Sequence, residues 1–279
     1  MKIQKTIKLY IGGKFPRTES GRSYPEYKKG SKEIYANLCQ SSRKDFRNTV
    51  EVAKSAVDTW GSCTPFLRSQ ILYRMAEMCE GKREEFVSLF EQVLGLDSDK
   101  ANEQVDRAID TFVFYAGFCD KFQQITATMN PVNGPFNNFT TPEPVGVVAL
   151  VNEDKFDFQK LVMNICSIIT GGNSVVALLG KECASVLAPL AEVFATSDLP
   201  AGVVNLLSGD LDEIAPFVGS HMEVKSVSFQ NSNKKAFELI QKDAIGNLKR
   251  VVGPMNSEMN LSSITSFIEY KTIWQPQGY

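Results

Sequence analysis

Six cysteines and one histidine set the first limits on chemistry. Cys39, Cys63, Cys79, Cys119, Cys166 and Cys183 are scattered, and none is paired at the C-x-x-C spacing of a zinc or redox site. They read as free, mostly buried thiols. A cysteine–histidine nucleophilic pair would need His221, which follows Gly219-Ser220 in an apparent loop and reads as an exposed surface residue. Metal ligation has no second histidine to draw on. Glu153, Asp154, Lys155 and Asp157 crowd the end of an apolar run at 145–151. They are either a polar site at the mouth of a sheet or a solvated loop. Asn231-Ser232 lead into a helical stretch. Ser232 and the free N–H groups of that helix are therefore a candidate phosphate contact, with capping by Asn231 or Ser232 as the plainer alternative.

The elements that must position these residues follow from periodicity and breakers. A strand and turn at 8–15 pivots on Gly12-Gly13. Residues 43–60 carry Phe46, Val50, Ala53, Val57 and Trp60 three and four apart, one apolar stripe of a helix. Pro65 suits the first position of the next helix. A third helix runs over 83–94 and stops at Gly95, and a longer one spans 99–122. Pro131, Gly134, Pro135, Pro142 and Pro144 make 123–143 extended hairpin or loop. From there strands predicted at 145–151, 174–179, 203–207, 224–229 and 248–252 alternate with helices at 156–169, 184–196, 214–218 and 236–241. That alternation predicts a parallel sheet with right-handed crossovers, a doubly wound Rossmann-like fold. Residues 256–263 are polar and read as loop. Residues 266–274 read as a last strand, which needs either the 123–143 segment or another chain as its partner.

The composition is that of an ordinary globular protein. It is 43% hydrophobic and 22% charged, with a net charge of -2, so no electrostatic argument favours nucleic acid or anionic lipid as partner. The longest clean apolar run is strand-sized and cannot span a bilayer. The opening MKIQKTIKLYIGGKF lacks the apolar centre of a signal peptide, and a cytoplasmic location is the expectation.

Several segments resemble the aldehyde dehydrogenase superfamily, in order along nearly the whole chain. They are PVGVVALV at 144–151, GGNSVVAL at 171–178, SDLPAGVVNLLSGD at 197–210, VKSVSFQNS at 224–232 and FIEYKTIWQP at 267–276. The last resembles the family's C-terminal oligomerisation strand. SRKDFRNTVEVA at 42–53, FYAGFCDKF at 114–122 and the ending KTIWQPQGY resemble more closely the second, inactive half of two-unit aldehyde dehydrogenases.

The resemblance implies a set of roles, and this chain departs from most of them. In the family a cysteine thiolate attacks the aldehyde, hydride passes to a nicotinamide, and a glutamate activates water to release the acid. An asparagine amide steadies the oxyanion. Here Lys155 stands in the place of that asparagine, bringing a full charge and another shape. Leu178 stands where the ribose-holding lysine would follow the second strand, and Lys181 comes three residues late. Asn231 replaces the glycine of the phosphate turn, while Ser232 matches its serine. Pro254 takes the place of the general-base glutamate and cannot act as a base. The catalytic lobe belongs between the fifth strand and the terminal one, but only residues 253–265 join them, and Cys183 is the last cysteine.

The resulting expectation is an α/β protein: N-terminal helices, a Rossmann-like parallel sheet and a small β oligomerisation element. Its segments are 1–122, 123–143, 144–253 and 254–279. It is read as a catalytically degenerate member of the superfamily, a pseudoenzyme with no catalytic residues. It uses no metal and no required cofactor, and any NAD would bind weakly near Ser232. It would partner itself or an active aldehyde dehydrogenase unit through the C-terminal strand, with neither nucleic acid nor membrane. Two alternatives stay open: an NAD-binding module, and oxidoreductase activity on aldehydes only in complex with an active unit.

Overall fold

A computed structural model describes residues 4–255 and 258–278. Three short strands open the chain: β1 (Thr6–Ile7), β2 (Ser23–Tyr27) and β3 (Ile34–Cys39), in the order β1-β3-β2. The sequence pattern does not show β2 and β3. Pro25 interrupts one and Ala36 and Asn37 dilute the other, so neither carries a β-branched run. The turn expected within 8–15 lies at Gly12-Gly13, and the strand part is reduced to isolated bridges, Ile11 with Lys14 and Tyr10 with Leu206, the latter bonded in both directions.

Five helices follow: α1 (Arg43–Gly61), α2 (Pro65–Gly81), α3 (Arg83–Leu89), α4 (Ser98–Phe118) and α5 (Lys121–Thr126). Ser42 and Asp45 form a reciprocal capping box that fixes the start of α1. Thr64 caps α2 just ahead of Pro65. α3 passes into a π-helical turn, Phe90–Leu94, that ends on left-handed Gly95. The single helix expected over 99–122 breaks at Cys119, just after Gly117, a weak helix former. α5 then continues into the segment expected to be extended.

Strands β4 (Thr128–Met129) and β5 (Phe136–Pro144) lead into the central sheet. That sheet is built from β6 (Val147–Val151), β7 (Ser174–Leu179), β8 (Val204–Ser208), β9 (Val224–Phe229) and β10 (Arg250–Val252), all parallel, in the order β10-β9-β6-β7-β8. The crossovers are α6 (Phe158–Thr170), α7 (Leu187–Thr196), α8 (Leu211–Ser220) and α9 (Lys234–Ala244), the doubly wound arrangement expected. Every residue of β6 is at most 2% exposed, because helices cover both faces. Each Val or Leu so buried contributes about 1.5–3 kcal/mol. The strand order reverses between β6 and β9, and a crevice opens at their carboxyl ends.

The tail is a short helix α10 (Leu261–Thr265) and strand β11 (Ile268–Pro276). The loop expected at 256–263 is corrected in its last part: Asn260 caps α10, and Ile264 is fully buried. Residues 256 and 257 of that expectation lie outside the described residues. β11 pairs antiparallel with β5, from Ile268 opposite Pro144 to Pro276 opposite Phe136. The order of this sheet is β11-β5-β4, which makes β11 an edge.

One side chain joins these pieces. Asn173 is fully buried in the turn between α6 and β7. Its Oδ1 accepts from Gly146 N at 2.9 Å, and its Nδ2 donates to Ile168 O at 3.1 Å and to Phe267 O at 2.9 Å. The next two carbonyls of α6 are taken by Trp60 Nε1 (2.8 Å to Ile169 O) and Arg68 Nη1 (2.9 Å to Thr170 O). Replacing Asn173 with Ala removes three side-chain hydrogen bonds to backbone, two of them buried, and is expected to cost about 2–4 kcal/mol of stability. Urea denaturation measures this, and a loss below about 0.5 kcal/mol would contradict the role assigned to it.

Candidate functional site

The carboxyl ends of β6 to β9 line a cleft of about 400 Å³. Its floor is apolar, with Val151, Leu178 and Leu179. Its polar walls come from the loops that leave each strand. Asp154 stands after β6, Lys181 and Glu182 after β7, Asp210 and Asp212 at the start of α8, and Asn231 and Asn233 after β9.

The backbone of these loops is drawn tightly together. Asn152 N donates to Leu178 O at 3.0 Å, and Phe156 N donates to Glu182 Oε2 at 2.8 Å. Gly180 sits against Glu153, where an added Cβ would lie 2.1 Å from the Glu153 carbonyl oxygen. The crevice between β6 and β9 is bridged by Asn231, whose Nδ2 donates to Asn152 O at 2.9 Å. Asn231 Oδ1 accepts from Asn233 N, and Asn233 Oδ1 accepts from Ala236 N at 3.1 Å, capping α9. The cap is thus Asn233, not Asn231 or Ser232 as expected. Ser232 is exposed and is not part of the cleft wall.

The other residues singled out in the sequence fall on both sides of this cleft. Lys155 is exposed in the β6–α6 loop, outside the cleft lining, and Glu153 pairs with Lys160 at 3.0 Å. Asp157 caps α6 through Lys160 N. Lys181 spans the mouth to Asp210 at 3.2 Å. Pro254 is exposed beyond β10, where Gln230 holds the departing chain through Gly253 O and Met255 N. His221 is half-buried and not the exposed residue expected. It packs edge-on to Phe46, and burial holds its imidazole below the usual range. Sequence reasoning overlooked Asn152, Asp210 and Asp212. The signal available was their place in the loops that leave predicted strands, Asn152 directly after one and Asp210 and Asp212 within five residues of another.

No cysteine has the surroundings of an activated thiolate. All six are free, five are buried, and half-buried Cys63 donates to Thr59 O. Burial pushes the Cys79 and Cys119 thiols up to about 12 and drives Cys166 and Cys183 well above the ordinary value.

The sequence profile of the aldehyde dehydrogenase family matches residues 15–268. The chain belongs to the aldehyde dehydrogenase family. Among curated relatives, cytosolic 10-formyltetrahydrofolate dehydrogenase of Xenopus laevis is 28% identical over 255 residues, covering 90% of this chain and 28% of that protein. A putative aldehyde dehydrogenase, DhaS, of Bacillus subtilis is 28% identical over 256 residues, covering 89% of this chain and 50% of that one. The fold matches the NAD+ complex of aldehyde dehydrogenase from Bacillus cereus with a TM-score of 0.83 at 24% identity, over 89% of this chain and 50% of that one. An NAD-dependent aldehyde dehydrogenase from Sinorhizobium meliloti matches with a TM-score of 0.82 at 22% identity, over 89% and 50%. The chain thus spans about half the length of these bacterial dehydrogenases, and less of the formyltetrahydrofolate enzyme.

In this dehydrogenase-family fold the strand-end cleft is the place for a dinucleotide, so the fit can be tested on the residues present. They do not suit a pyrophosphate. Four carboxylates line the cleft against one lysine, and that lysine is paired with Asp210. Leu178 supplies no cation. Asn231 puts a side chain into the turn where backbone would have to meet phosphate.

The buried thiols have a consequence for alkaline stability. Their folded values lie above the unfolded value near 9, so the stability they lend is complete below pH 9 and is lost as pH rises through the folded values. Lys249 acts in the opposite sense. Burial and the charge of Lys225 hold it down to about 8, so it gains stability between there and its ordinary value. Four thiols outweigh one lysine. Melting temperatures should therefore fall steeply from pH 9 to pH 10.5, and Cys79→Ala should soften the slope. A flat profile would contradict this assignment.

Proposed function

We propose that this chain acts as a non-catalytic structural partner within the aldehyde dehydrogenase family, a pseudoenzyme that associates with itself or with an active unit. One observation carries the reading. The path from β10 to β11 runs through residues 253–267 alone, with Pro254 at its start and no thiol along it. The thiolate step of the family's chemistry needs a nucleophile there. Lys155 and Leu178, in place of the expected asparagine and lysine, point the same way, as does the resemblance to the inactive half of two-unit enzymes.

The association surface in this reading is the tail sheet. Glu269 to Pro276 are exposed at every position, with Tyr270 52%, Ile273 36% and Trp274 59% exposed. Phe136 packs against Trp274 on the same sheet. An edge strand carrying such side chains favours pairing with another chain. The cytoplasm is the proposed compartment. The free thiols suit a reducing environment, and several relatives carry "cytosolic" in their names. None of the described helices is long and apolar enough to cross a membrane.

Light scattering on the purified chain, alone and mixed with an active aldehyde dehydrogenase of the same source, tests the proposal. The expected result is a dimer or a mixed oligomer that Trp274→Ala with Tyr270→Ala weakens at least tenfold. A monomer at tens of micromolar in both samples would remove the proposal.

A further inference from the structure

The free edge of the tail sheet is complementary to itself, and we infer that it pairs with β11 of a second copy of this chain, antiparallel about a two-fold axis at Thr272. This rests on the reading of the tail as an association surface and adds the occupant and the register. Beside β5, Phe267 O accepts from Val145 N, and Gln277 N donates to Pro135 O. With the alternation of an antiparallel ladder, the odd-numbered residues of β11 therefore turn their backbone groups toward β5 and the even-numbered ones turn outward. The outer edge is closed at its start, because Arg250 Nη1 donates to Ser266 O and Ile268 O, both at 2.9 Å. It is closed to donation at its end, because Pro276 has no N–H. Between these lie the N–H and C=O groups of Tyr270, Thr272 and Trp274, unpaired among the described residues.

Those three residues are symmetric about Thr272. Pairing there sets Tyr270 opposite Trp274 of the second copy and Thr272 opposite its own counterpart, and each opposed pair exchanges two hydrogen bonds. Ile268 then meets Pro276 of the second copy. That residue offers no N–H, and Ile268 O needs none, since Arg250 already fills it. The side chains agree with this register. Tyr270 and Trp274 share one face of the strand, so they become cross-strand aromatic neighbours beside Phe136. A polar row from Asn130 through Thr140 to Thr272, at 2.8 and 2.9 Å, stops at the edge and would continue into Thr272 of the second copy. On the other face Glu269 stands opposite Gln275, and Lys271 opposite Ile273. Lys271 is already paired with Glu143 at 3.3 Å, so no like charges stand directly opposite one another. Two three-stranded sheets thereby join into one of six strands.

Spin labels on Glu269→Cys and, separately, on Gln275→Cys measure the register in the full chain, with Cys63→Ser as background. Each label lies six residues along the strand from its counterpart, so double electron–electron resonance should give the same separation at both sites, about 20 Å between backbones. Thr272→Pro removes an outward N–H and spares the bonds to β5, a substitution that an edge strand tolerates. It should weaken the dimer at least tenfold by light scattering, with circular dichroism establishing that it is folded. The label distances decide the matter if it is not. Unequal separations at the two sites, a dimer that folded Thr272→Pro leaves intact, or association only with an active aldehyde dehydrogenase unit would overturn this inference while association through the tail stands. A monomer throughout would overturn both.

Discussion

The end of α6 is where this molecule is held together. Its last carbonyls point into a place where water cannot follow, and each must find a donor. Asn173, Trp60 and Arg68 supply those donors from three separate parts of the chain. Because Asn173 also reaches Gly146 and Phe267, the same constraint fixes the entry to β6 and the departure of the tail strand. Arg68 is 3% exposed and meets only carbonyl oxygens, so burial lowers its affinity for the proton, yet the guanidinium still serves as a rigid fork. Once this junction is set, the register of β6 against β7 and β9 is set as well, and the cleft at their far ends follows.

That cleft keeps the family's fold with other residues along its walls. The β6–α6 loop is packed down on Gly180, and Asn231 bridges the strand-order reversal by hydrogen bonding across it. Both features tie the loops at the strand ends to one another. The thiols tell the same story from another direction. Cys79, Cys119, Cys166 and Cys183 lie in apolar surroundings that favour the protonated form, the opposite of what a nucleophile requires. The fold of the family and the proposed loss of its reaction are therefore compatible at the level of single residues.

Much of this is legible in the amino-acid sequence. The five parallel strands, their order of appearance and the helices between them follow from apolar runs and glycine turns. The proline at 254 and the side chain that Asn231 brings to its turn are read from position. What stays hidden has weak local signals or depends on contacts distant in sequence. β2 and β3 carry proline, alanine and asparagine, and become strands only because they pair with each other and with β1. α10 is too short to show a period and is held by Asn260 and by Tyr115, whose hydroxyl meets Ser263 at 2.7 Å. Ser232 resembles a phosphate contact by residue type alone. The actual cap, Asn233, lies one position further on, which turns Ser232 outward. The unpartnered oxygen of Asn152 has no sequence signature at all.

In the proposed function no thiol of this chain carries the family's covalent step. Intact-protein mass spectrometry after incubation with a short aldehyde and NAD+, quenched in acid during turnover, addresses it directly. The expected result is the unmodified mass only, with every cysteine accounted for in the digest. An acyl thioester on any of the six cysteines would contradict it.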